Sequence, residues 1–422
     1  MSHVVITPRN LSGIVTPPPS KSDAHRAIIC AALARGTSTI APFETSADME
    51  ASISAVQALG AKVERTENGL LVDGTNTFCT IQSKIDCKES GSTLRFIIPV
   101  AAVGGKPVTF TGSGRLPQRP IGPFLDCLPK AGVHCETAGG LPLTISGRIA
   151  PGEYLLPGNV SSQFITGLLL ALPLLHGDSV IRLSSPLQSV GYVDLTLSAL
   201  RHFGVNVHVR KSTYLIKGDQ HYTPSKYKTE SDWSQAAFWL VAGALGAPVT
   251  CLGLKTSSRQ GDRAIFDLLL RFGAKLGCGD EITVSRGDYH GIEIDAAQIP
   301  DLVPPLAAFA ALCPGRTIIK GAERLRMKES DRLHTITLSL NTLGALVTER
   351  DDGLVIDGVP ALHGGVADSF NDHRIAMALS IAAIRSKGEV TIKGCECVNK
   401  SYPEFFNHYN ALGGCAHVVD DR

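Results

Sequence analysis

A short pattern centred on glycine recurs six times along the chain, and this repetition limits the folds that the chain can adopt. The interval between copies is about 70 residues, longer than the roughly 20 to 50 residues of solenoid repeats. Each copy is therefore predicted to be a unit of several helices and strands. The copies, of which the last is the weakest match, are Leu59-Gly60-Ala61, Ala131-Gly132-Val133, Phe203-Gly204-Val205, Phe272-Gly273-Ala274, Leu343-Gly344-Ala345 and Leu412-Gly413-Gly414.

Each repeat is predicted to contain a helix that is apolar on nearly all sides, which is typical of a helix buried in a core. These helices begin at polar clusters, in which residues such as Asp301 and Asp372 are predicted N-caps. The glycine near each C-terminus is predicted to adopt the left-handed conformation that often follows a helix. The six stretches are 24–36, 93–104, 164–177, 236–246, 302–315 and 375–388.

A second, amphipathic helix follows in each repeat and leads into the recurring glycine. Two short strand-like runs come after that glycine. The order strand, buried helix, strand, amphipathic helix, strand, strand predicts an α/β fold of six βαβαββ units, with parallel pairing across the helical crossovers. The amphipathic stretches are 48–59, 119–131, 193–203, 262–272, 331–343 and 404–412.

Six repeats favour two domains of three repeats each. Pro17-Pro18-Pro19 precedes the first buried helix, and the polar stretch 219–228 follows the third repeat. If the strand-like run Val4-Val5-Ile6 belongs with the last three repeats, the chain crosses between domains twice. The expected domains are therefore 20–228 and a discontinuous domain of 1–19 plus 229–422.

Composition excludes several classes of function. A net charge of +1 over 422 residues argues against nucleic-acid binding, which needs a basic face. Eleven scattered cysteines have no zinc-type spacing, so we expect no metal and a reducing, cytoplasmic location. No secretory signal opens the chain and no apolar run reaches the roughly 18 residues of a membrane span. Phosphate-binding GxxxxGK[ST] and GxGxxG motifs are also missing.

Basic residues cluster at the predicted helix starts. A cation there opposes the helix dipole, whereas a bound anion is favoured by the unpaired N–H groups and by the cation together. A single such cation is usually a solvated surface charge, but seven at equivalent repeat positions favour an anion site. They are Lys21, Arg26, Arg119, Lys328, Arg332, Arg374 and Lys400.

The densest local string is Arg326-Met327-Lys328-Glu329-Ser330-Asp331-Arg332. On a helix, Lys328 and Arg332 are predicted i,i+4 neighbours on one face, where two cations repel unless an anion lies near them. Glu329 beside them is a candidate carboxylate. An ordinary salt-bridged helix start explains this string equally well when it is taken alone.

Eight strings together resemble the 5-enolpyruvylshikimate-3-phosphate synthase family, and they occur in family order over nearly the whole chain. Each string is modest evidence, but the set is highly specific. The strings are Lys21-Ser22-x-x-x-Arg26, Ser90-Gly91-Ser92-Thr93-x-Arg95, Arg119-Pro120-Ile121-Gly122, Ser161-Ser162-Gln163, Pro300-Asp301, Lys328-Glu329-Ser330-Asp331-Arg332, Asn371-Asp372-His373-Arg374 and Lys400-Ser401-Tyr402-Pro403.

The resemblance implies an enolpyruvyl transferase-like fold with two domains that close over substrates in a cleft. It also implies a transferase of aromatic amino acid biosynthesis, a 3-phosphoshikimate 1-carboxyvinyltransferase. The 5-hydroxyl of shikimate 3-phosphate adds to C2 of phosphoenolpyruvate, and phosphate then leaves the tetrahedral intermediate. No cofactor is expected, and the protein is expected to be a monomer.

The resemblance also assigns residues to each substrate. Tyr192 is expected to pack against the shikimate ring. The expected shikimate 3-phosphate ligands are Lys21, Ser22, Arg26, Ser161, Ser162, Gln163, Ser189, Asp301 and Lys328. The expected phosphoenolpyruvate ligands are Lys21, Gly91, Arg119, Gln163, Arg332, Arg374 and Lys400.

Three residues are the expected catalytic groups of the family. Asp301 is the base for the 5-hydroxyl, and Glu329, with Lys21, moves the proton at the methylene carbon of phosphoenolpyruvate. Carboxylates as acid and base, with cations for phosphate, agree with what the residues suggest on their own.

Two positions depart from the family pattern. Glu89 stands where many members have asparagine, and Arg324 stands where some have asparagine. An added carboxylate near Gly91 is expected to weaken phosphoenolpyruvate binding unless Arg95 or another cation neutralises it. Because Gly91 is retained, the inhibitor glyphosate is expected to fit.

Three other classes of protein compete with this interpretation. A UDP-N-acetylglucosamine enolpyruvyl transferase usually has a reactive cysteine in the loop before Arg119, but residues 111–118 contain none. An RNA-end cyclase with the same repeat needs a basic RNA surface. A non-catalytic anion-binding protein needs the cations but neither Asp301 nor Glu329.

Overall fold

The computed structural model describes residues 2–279 and 281–420. The chain divides into two compact units. The continuous unit is Pro19–Thr229, and the discontinuous unit is Met1–Pro18 with Glu230–Arg422. Each unit has its own cluster of buried apolar side chains.

The described strands are all short, as expected for a repeated small unit. In chain order they are β1 (Ser2–Ile6), β2 (Gly13–Val15), β3 (Thr37–Ala41), β4 (Lys62–Thr66), β5 (Gly69–Asp73), β6 (Lys84–Asp86), β7 (Val108–Thr111), β8 (His134–Glu136), β9 (Leu143–Ser146), β10 (Glu153–Leu156), β11 (Ser179–Leu183), β12 (Val207–Arg210), β13 (Thr213–Ile216), β14 (Lys226–Lys228), β15 (Val249–Cys251), β16 (Lys275–Cys278), β17 (Ile282–Ser285), β18 (Glu293–Asp295), β19 (Arg316–Lys320), β20 (Leu346–Arg350), β21 (Gly353–Asp357), β22 (Gly365–Asp368), β23 (Val390–Lys393) and β24 (Ala416–Asp420).

The α-helices alternate with these strands. They are α1 (Lys21–Leu33), α2 (Ala47–Ala58), α3 (Gly91–Gly104), α4 (Gly122–Cys127), α5 (Ser162–Ala171), α6 (Val190–His202), α7 (Trp233–Leu245), α8 (Ala264–Phe272), α9 (Val303–Ala310), α10 (Arg332–Thr342), α11 (His373–Ala382) and α12 (Phe405–Ala411). Short 3₁₀ segments adjoin several of them, including Pro300–Leu302, Glu323–Met327 and Cys395–Lys400.

The described strands form six sheets of four, one for each repeat. The order is β14-β3-β5-β4, β6-β7-β9-β8 and β10-β11-β13-β12 in the continuous unit. In the discontinuous unit it is β16-β17-β15-β2, β18-β19-β21-β20 and β22-β23-β1-β24. Six copies of one sheet confirm the predicted α/β fold of six βαβαββ units.

Four of the described strand pairs flank a buried helix and are parallel, as the sequence predicts. In β6–β7, Ile85 pairs with Phe110 in parallel, and α3 lies between these strands in the chain. The last two strands of each repeat pair antiparallel with each other, as in β8–β9, where Cys135 pairs with Ile145.

Three sheets contain strands from distant parts of the chain. Strand β1 lies between β23 and β24 and pairs antiparallel with both. Strand β2 pairs in parallel with β15. Strand β14, at the end of the continuous unit, pairs in parallel with β3 at its beginning. The N-terminal strands therefore belong to sheets made by the last three repeats.

Buried helices form the centre of each unit. Helix α3 packs on α5 in the continuous unit, and α11 packs on α9 and α7 in the discontinuous unit. Every residue of α7 is buried. Burial on all sides explains why the sequence of these helices is apolar all round.

The recurring glycine has the same conformation in all six repeats. Its φ is 104° at Gly60, 85° at Gly132, 84° at Gly204, 100° at Gly273, 96° at Gly344 and 88° at Gly413. Each ends the amphipathic helix segment in the left-handed region, which other residues enter at an energetic cost. Backbone conformation therefore explains the spacing that is visible in the sequence.

The glycines predicted to end the buried helices do not all behave in this way. Gly246 has a φ of −118°, and the left-handed residue after α3 is Gly105 rather than Gly104. Helix α5 ends at Ala171 and continues as a 3₁₀ turn through Leu174. The prediction is wrong at Gly246, which has a negative φ, and at Gly104, where the left-handed residue comes one position later. After α5, a 3₁₀ turn separates the helix from its glycine.

No helix among the described residues is long and apolar enough to cross a membrane.

Candidate active site

Lys21 is the first residue of α1 in the continuous unit, just after the N-cap Ser20. Its Nζ lies 2.7 Å from Oδ2 of Asp48 on α2. Both side chains are mostly buried, with exposed fractions of 18% and 14%. Lys21 therefore has a protein carboxylate as its partner, which the sequence did not indicate.

Arg26 lies one turn farther along α1 and is buried. Its Nε donates to Thr196 Oγ1 at 2.8 Å, and its Nη2 donates to the Tyr192 carbonyl at 2.8 Å, both on α6. Its Nη1 donates to the Ser22 carbonyl. Burial lowers the pKa of Arg26 to about 10, so the guanidinium remains charged at neutral pH.

Gly91 is the first residue of α3, after the N-cap Ser90. A Cβ placed on Gly91 would lie 2.8 Å from Nη1 and 2.9 Å from Cζ of Arg119. These distances are shorter than real Cβ contacts, so any larger residue at position 91 would displace the Arg119 guanidinium from its present place. The structure thus brings together two predicted ligands that are 28 residues apart in the sequence.

Gln163 belongs to the same part of the continuous unit. Its Oε1 accepts from Arg95 Nη1 at 2.6 Å, and its Nε2 donates to Ser92 Oγ at 2.9 Å. Arg95 Nη2 also donates to the Pro120 carbonyl at 2.9 Å, next to Arg119. Buried Arg95 therefore orients both Gln163 and the chain around Arg119, a role that the sequence did not reveal.

Three serines of the predicted site lie at helix starts. Ser161 caps α5 and accepts from the Gln163 N–H at 3.3 Å. Ser162 is the first residue of α5. Ser189 precedes α6 in the left-handed region, with a φ of 58°. Strain of this kind in a non-glycine residue often marks a functional position.

Asp301 in the discontinuous unit is not an N-cap, so that prediction is wrong. It lies inside the 3₁₀ turn Pro300–Leu302, which has no side-chain cap. Its Oδ1 lies 2.8 Å from Arg332 Nη1 and 3.6 Å from Lys328 Nζ, and its Oδ2 lies 3.4 Å from Arg374 Nη2. Three cations surround this carboxylate, and their combined attraction is stronger than a bond to one backbone N–H.

Arg332 is the centre of the acidic and basic groups in this unit. Nη2 lies 2.7 Å from Glu329 Oε2, and Nε lies 2.7 Å from Asp372 Oδ2. Burial alone would lower the pKa of Arg332, but Asp372, Glu329 and Asp301 outweigh burial and raise it above its ordinary value. One guanidinium therefore holds both predicted catalytic carboxylates.

Lys328 and Arg332 are not neighbours on a helix, contrary to the prediction. Lys328 is extended and follows the 3₁₀ segment Glu323–Met327, whereas α10 begins at Arg332 after its N-cap Asp331. The two cations converge through a shared partner, since both lie near Oδ1 of Asp301.

Arg374 and Lys400 complete the predicted cations. Arg374 is near the start of α11, where Asp372 accepts from its N–H at 3.0 Å and so is the predicted N-cap. Its Nη1 also donates to the Asp301 carbonyl at 3.1 Å. Lys400 is buried and donates to the Asn371 carbonyl at 2.6 Å.

Asp372 and Asp262 contribute more than the sequence indicated. Asp372 is both a helix cap and the buried partner of Arg332; burial raises its pKa, but Arg332 and His373 bring the pKa below its ordinary value. Burial, followed by the charge of Asp301, raises the pKa of Asp262 from 3.8 to about 6. A buried carboxyl next to a predicted base has no signature in sequence spacing.

Glu89 and Arg324, the two positions that depart from the family pattern, have different surroundings. The Glu89 carboxylate lies so close to Gly114 that a Cβ there would meet Oε2 at 2.3 Å. Arg324 is buried, and its Nη2 donates to the Ala297 carbonyl at 2.7 Å. Among the described residues, no cluster of His, Cys, Asp or Glu has the geometry to hold a metal ion.

Comparison with known proteins gives consistent matches over the chain. The family model for EPSP synthase (3-phosphoshikimate 1-carboxyvinyltransferase) matches residues 5–409. A 3-phosphoshikimate 1-carboxyvinyltransferase of Clostridium kluyveri is 46% identical over 417 residues, which is 98% of each chain. One of Clostridium acetobutylicum is 46% identical over 425 residues, which is 99% of each chain.

A solved structure gives the same result at the level of the fold. The EPSP synthase from Acinetobacter baumannii superposes with a TM-score of 0.84 at 26% identity, and the match covers 100% of both chains.

Proposed function

The chain belongs to the EPSP synthase family, and from this membership we propose that it transfers the enolpyruvyl group of phosphoenolpyruvate to the 5-hydroxyl of shikimate 3-phosphate. The products are 5-enolpyruvylshikimate 3-phosphate and inorganic phosphate. Full-length identity of 46% to relatives named for this activity supports the proposal.

The observation that carries the chemistry is the pair of carboxylates on Arg332. Asp301 and Glu329 bind different nitrogens of one guanidinium, at 2.8 and 2.7 Å. Lys328 and Arg374 also lie near Asp301. Carboxyl groups beside several cations suit proton transfer next to anionic substrates.

The proposed reaction has two steps in which these residues exchange protons. In the addition, Asp301 accepts the proton of the 5-hydroxyl while the hydroxyl oxygen bonds to C2 of phosphoenolpyruvate. C3 receives the proton of the Glu329 carboxyl group, assisted by Lys21, which gives the tetrahedral intermediate. In the elimination, the C2–O bond to phosphate breaks, C3 returns a proton to Glu329, and the leaving phosphate takes the proton held by Asp301.

We propose that the hydroxyls and cations of the α1 and α5 starts bind shikimate 3-phosphate. Lys21 and Arg26 lie on one helix, and Ser161 and Ser162 lie at the N-terminus of another, where unpaired N–H groups favour a phosphate. The full proposed set adds Ser22, Gln163, Ser189, Asp301 and Lys328.

The proposed phosphoenolpyruvate ligands are mostly guanidinium and ammonium groups, which match a phosphate and a carboxylate. Contact between Gly91 and Arg119, and the link from Arg95 to Gln163, support this grouping in the continuous unit. The full proposed set is Lys21, Gly91, Arg119, Gln163, Arg332, Arg374 and Lys400.

The competing enolpyruvyl transferase is not favoured. Relatives at 46% identity are named for the shikimate enzyme, and the loop of residues 111–118 lacks a cysteine. A non-catalytic anion-binding protein has no use for two carboxylates held on one arginine.

Purified protein with phosphoenolpyruvate and either shikimate 3-phosphate or UDP-N-acetylglucosamine tests the proposal. Phosphate release with shikimate 3-phosphate alone is expected. Release with UDP-N-acetylglucosamine alone would assign the competing activity, and release with neither would leave the anion-binding alternative.

Three finer properties are part of the proposal. We propose that the enzyme acts as a monomer, that it acts in the cytoplasm, and that glyphosate competes with phosphoenolpyruvate because glycine is retained at position 91. Sedimentation at assay concentration tests the monomer, and an inhibition curve tests glyphosate. An unchanged rate at glyphosate concentrations far above the phosphoenolpyruvate KM would contradict inhibition.

A further inference from the structure

His25 is a buried, titratable residue to which the proposed reaction gives no role. It lies on α1 between Lys21 and Arg26 and is 1% exposed. Its ring meets Phe96 of α3 edge to face, with 6.3 Å between centroids. A polar ring at the centre of this unit needs hydrogen-bond partners, because burying it without them is costly.

A chain of hydrogen bonds runs from His25 to the start of α3. Nδ1 lies 2.6 Å from Ser52 Oγ on α2, and Ser52 Oγ lies 2.7 Å from Thr93 Oγ1. Thr93 Oγ1 donates to Ser90 Oγ at 2.9 Å. Four side chains therefore connect α1, the middle of α2 and the N-terminus of α3.

The direction of this chain follows from counting protons. A hydroxyl has one proton to donate, and Thr93 gives its proton to Ser90. Ser52 must then donate to Thr93, so Nδ1 of His25 must donate to Ser52. His25 is therefore the tautomer with its proton on Nδ1.

The surroundings of His25 keep the ring neutral. Burial and then the nearby charges of Lys21 and Arg26 hold the pKa of His25 well below its ordinary value. Nε2 has no hydrogen-bond partner within the described part of the chain. Nε2 is therefore best left unprotonated, because a proton added there would make His25 a cation beside Lys21 and Arg26.

This chain of hydrogen bonds ends at residues proposed to bind phosphoenolpyruvate. Ser90 is the N-cap of α3, and its Oγ also accepts from the Thr93 N–H at 3.2 Å. The next residue, Gly91, touches Arg119. A change in Ser90 would shift the N–H groups that begin α3.

A second contact fixes the same two helices one turn earlier. Lys21 and His25 are four residues apart on α1, as are their partners Asp48 and Ser52 on α2. Helices α1 and α2 are thus joined by both contacts, and the His25 contact continues to α3.

We propose that neutral His25, with its proton on Nδ1, is a positioning residue that sets the start of α3 for phosphoenolpyruvate through Ser52, Thr93 and Ser90. The proposal deepens the proposed function and rests on it. Arg26, a proposed shikimate 3-phosphate ligand, is held separately by Thr196 and Tyr192, so binding of shikimate 3-phosphate should depend less on this hydrogen-bond chain than binding of phosphoenolpyruvate does.

Nitrogen-15 NMR of the histidine-labelled, unliganded protein at neutral pH tests the tautomer directly. We expect the His25 resonance, assigned by its loss in His25→Asn, to show a proton on Nδ1 and none on Nε2. A proton on Nε2, or on both nitrogens, would overturn the chain's direction whatever the enzyme's activity.

Steady-state kinetics test the positioning role. His25→Leu and Thr93→Val remove the donor at either end with little change in shape, so each should raise the phosphoenolpyruvate KM roughly five- to tenfold, as expected for one lost hydrogen bond. The shikimate 3-phosphate KM should change by less than about twofold. His25→Asn, whose amide nitrogen can donate from the Nδ1 position, should restore most of the affinity.

Thr109→Val is the matched control. It removes a partly buried hydrogen bond between the hydroxyls of Thr109 on β7 and Thr144 on β9, and neither residue belongs to the hydrogen-bond chain of His25. Its KM values should equal those of the wild type. Equal KM values in the folded Thr93→Val variant, or an equal rise in both KM values, would overturn the positioning role. An inactive wild type would instead refute the proposed function and leave the NMR result unaffected.

Discussion

The carboxylate of Asp372 accepts a 2.7 Å hydrogen bond from Nε of Arg332, and neither side chain is significantly exposed. Asp372 also caps α11 through the Arg374 N–H. One buried carboxylate thus fixes a guanidinium and a helix start that carry two proposed phosphoenolpyruvate ligands. The guanidinium is left with its other nitrogens directed at Asp301 and Glu329.

Asp372→Asn should destabilise the protein and weaken phosphoenolpyruvate binding. The amide keeps a cap for α11 but leaves Arg332 buried with one counter-charge fewer, which should lower the free energy of unfolding by about 3 kcal/mol. Urea unfolding and the phosphoenolpyruvate KM measure these effects. Asp331→Asn is the control, because Asp331 also caps a helix and pairs with an arginine but is about one-third exposed. An equal loss of stability in both variants would contradict the account.

Gly91→Ala should raise the phosphoenolpyruvate KM roughly tenfold, equivalent to about 1.4 kcal/mol. The new methyl would lie 2.8 Å from Arg119 Nη1, so the guanidinium must move away. Gly122→Ala is the matched control, because a Cβ on Gly122 meets nothing within 4 Å. Unchanged phosphoenolpyruvate affinity in Gly91→Ala would show that Arg119 does not bind this substrate from its present position.

Asp262→Asn should change how stability depends on pH. The pKa of Asp262 is about 6 in the folded protein against an ordinary value of 3.8. The folded state therefore binds more protons than the unfolded state between these values, and wild-type stability falls as pH rises through this window.

Relative to Asp262→Asn, the wild type should lose about 2 kcal/mol between pH 4 and pH 6, because each tenfold difference in proton affinity between the folded and unfolded states corresponds to about 1.4 kcal/mol and part of the change lies outside this range. Unfolding by urea at several pH values measures this difference. Asp267→Asn, at an exposed position on α8, should show no such trend. A wild type that gains stability relative to Asp262→Asn over this range would contradict the raised pKa.

The fold follows from local patterns, and so the sequence predicts it well. A glycine such as Gly60 or Gly344 needs a left-handed φ, which is a property of the residue itself. Helix caps such as Ser90 and Asp372 bond N–H groups two or three residues away. These relationships are visible at short spacing.

The site depends on partners far apart in the chain, and these were less predictable. Asp301 looks like a cap, but Arg332, 31 residues later, binds it instead. Lys328 looks helical, but the preceding 3₁₀ segment leaves it extended. Asp48 contacts a predicted ligand, yet nothing in its local sequence distinguishes it from an ordinary helix residue. Arg95 belongs to one of the family strings, but the sequence does not show that Gln163, 68 residues later, is its partner.

Phosphate release by Asp301→Ala and Glu329→Gln tests the central claim most directly. Asp357→Asn is the control, because Asp357 also pairs with an arginine, Arg316, but on an exposed surface. With saturating shikimate 3-phosphate and phosphoenolpyruvate, the first two variants should lose at least about a hundredfold in kcat, as for a missing acid or base, and the control should match the wild type. Wild-type rates in a correctly folded Asp301→Ala or Glu329→Gln variant would contradict the account.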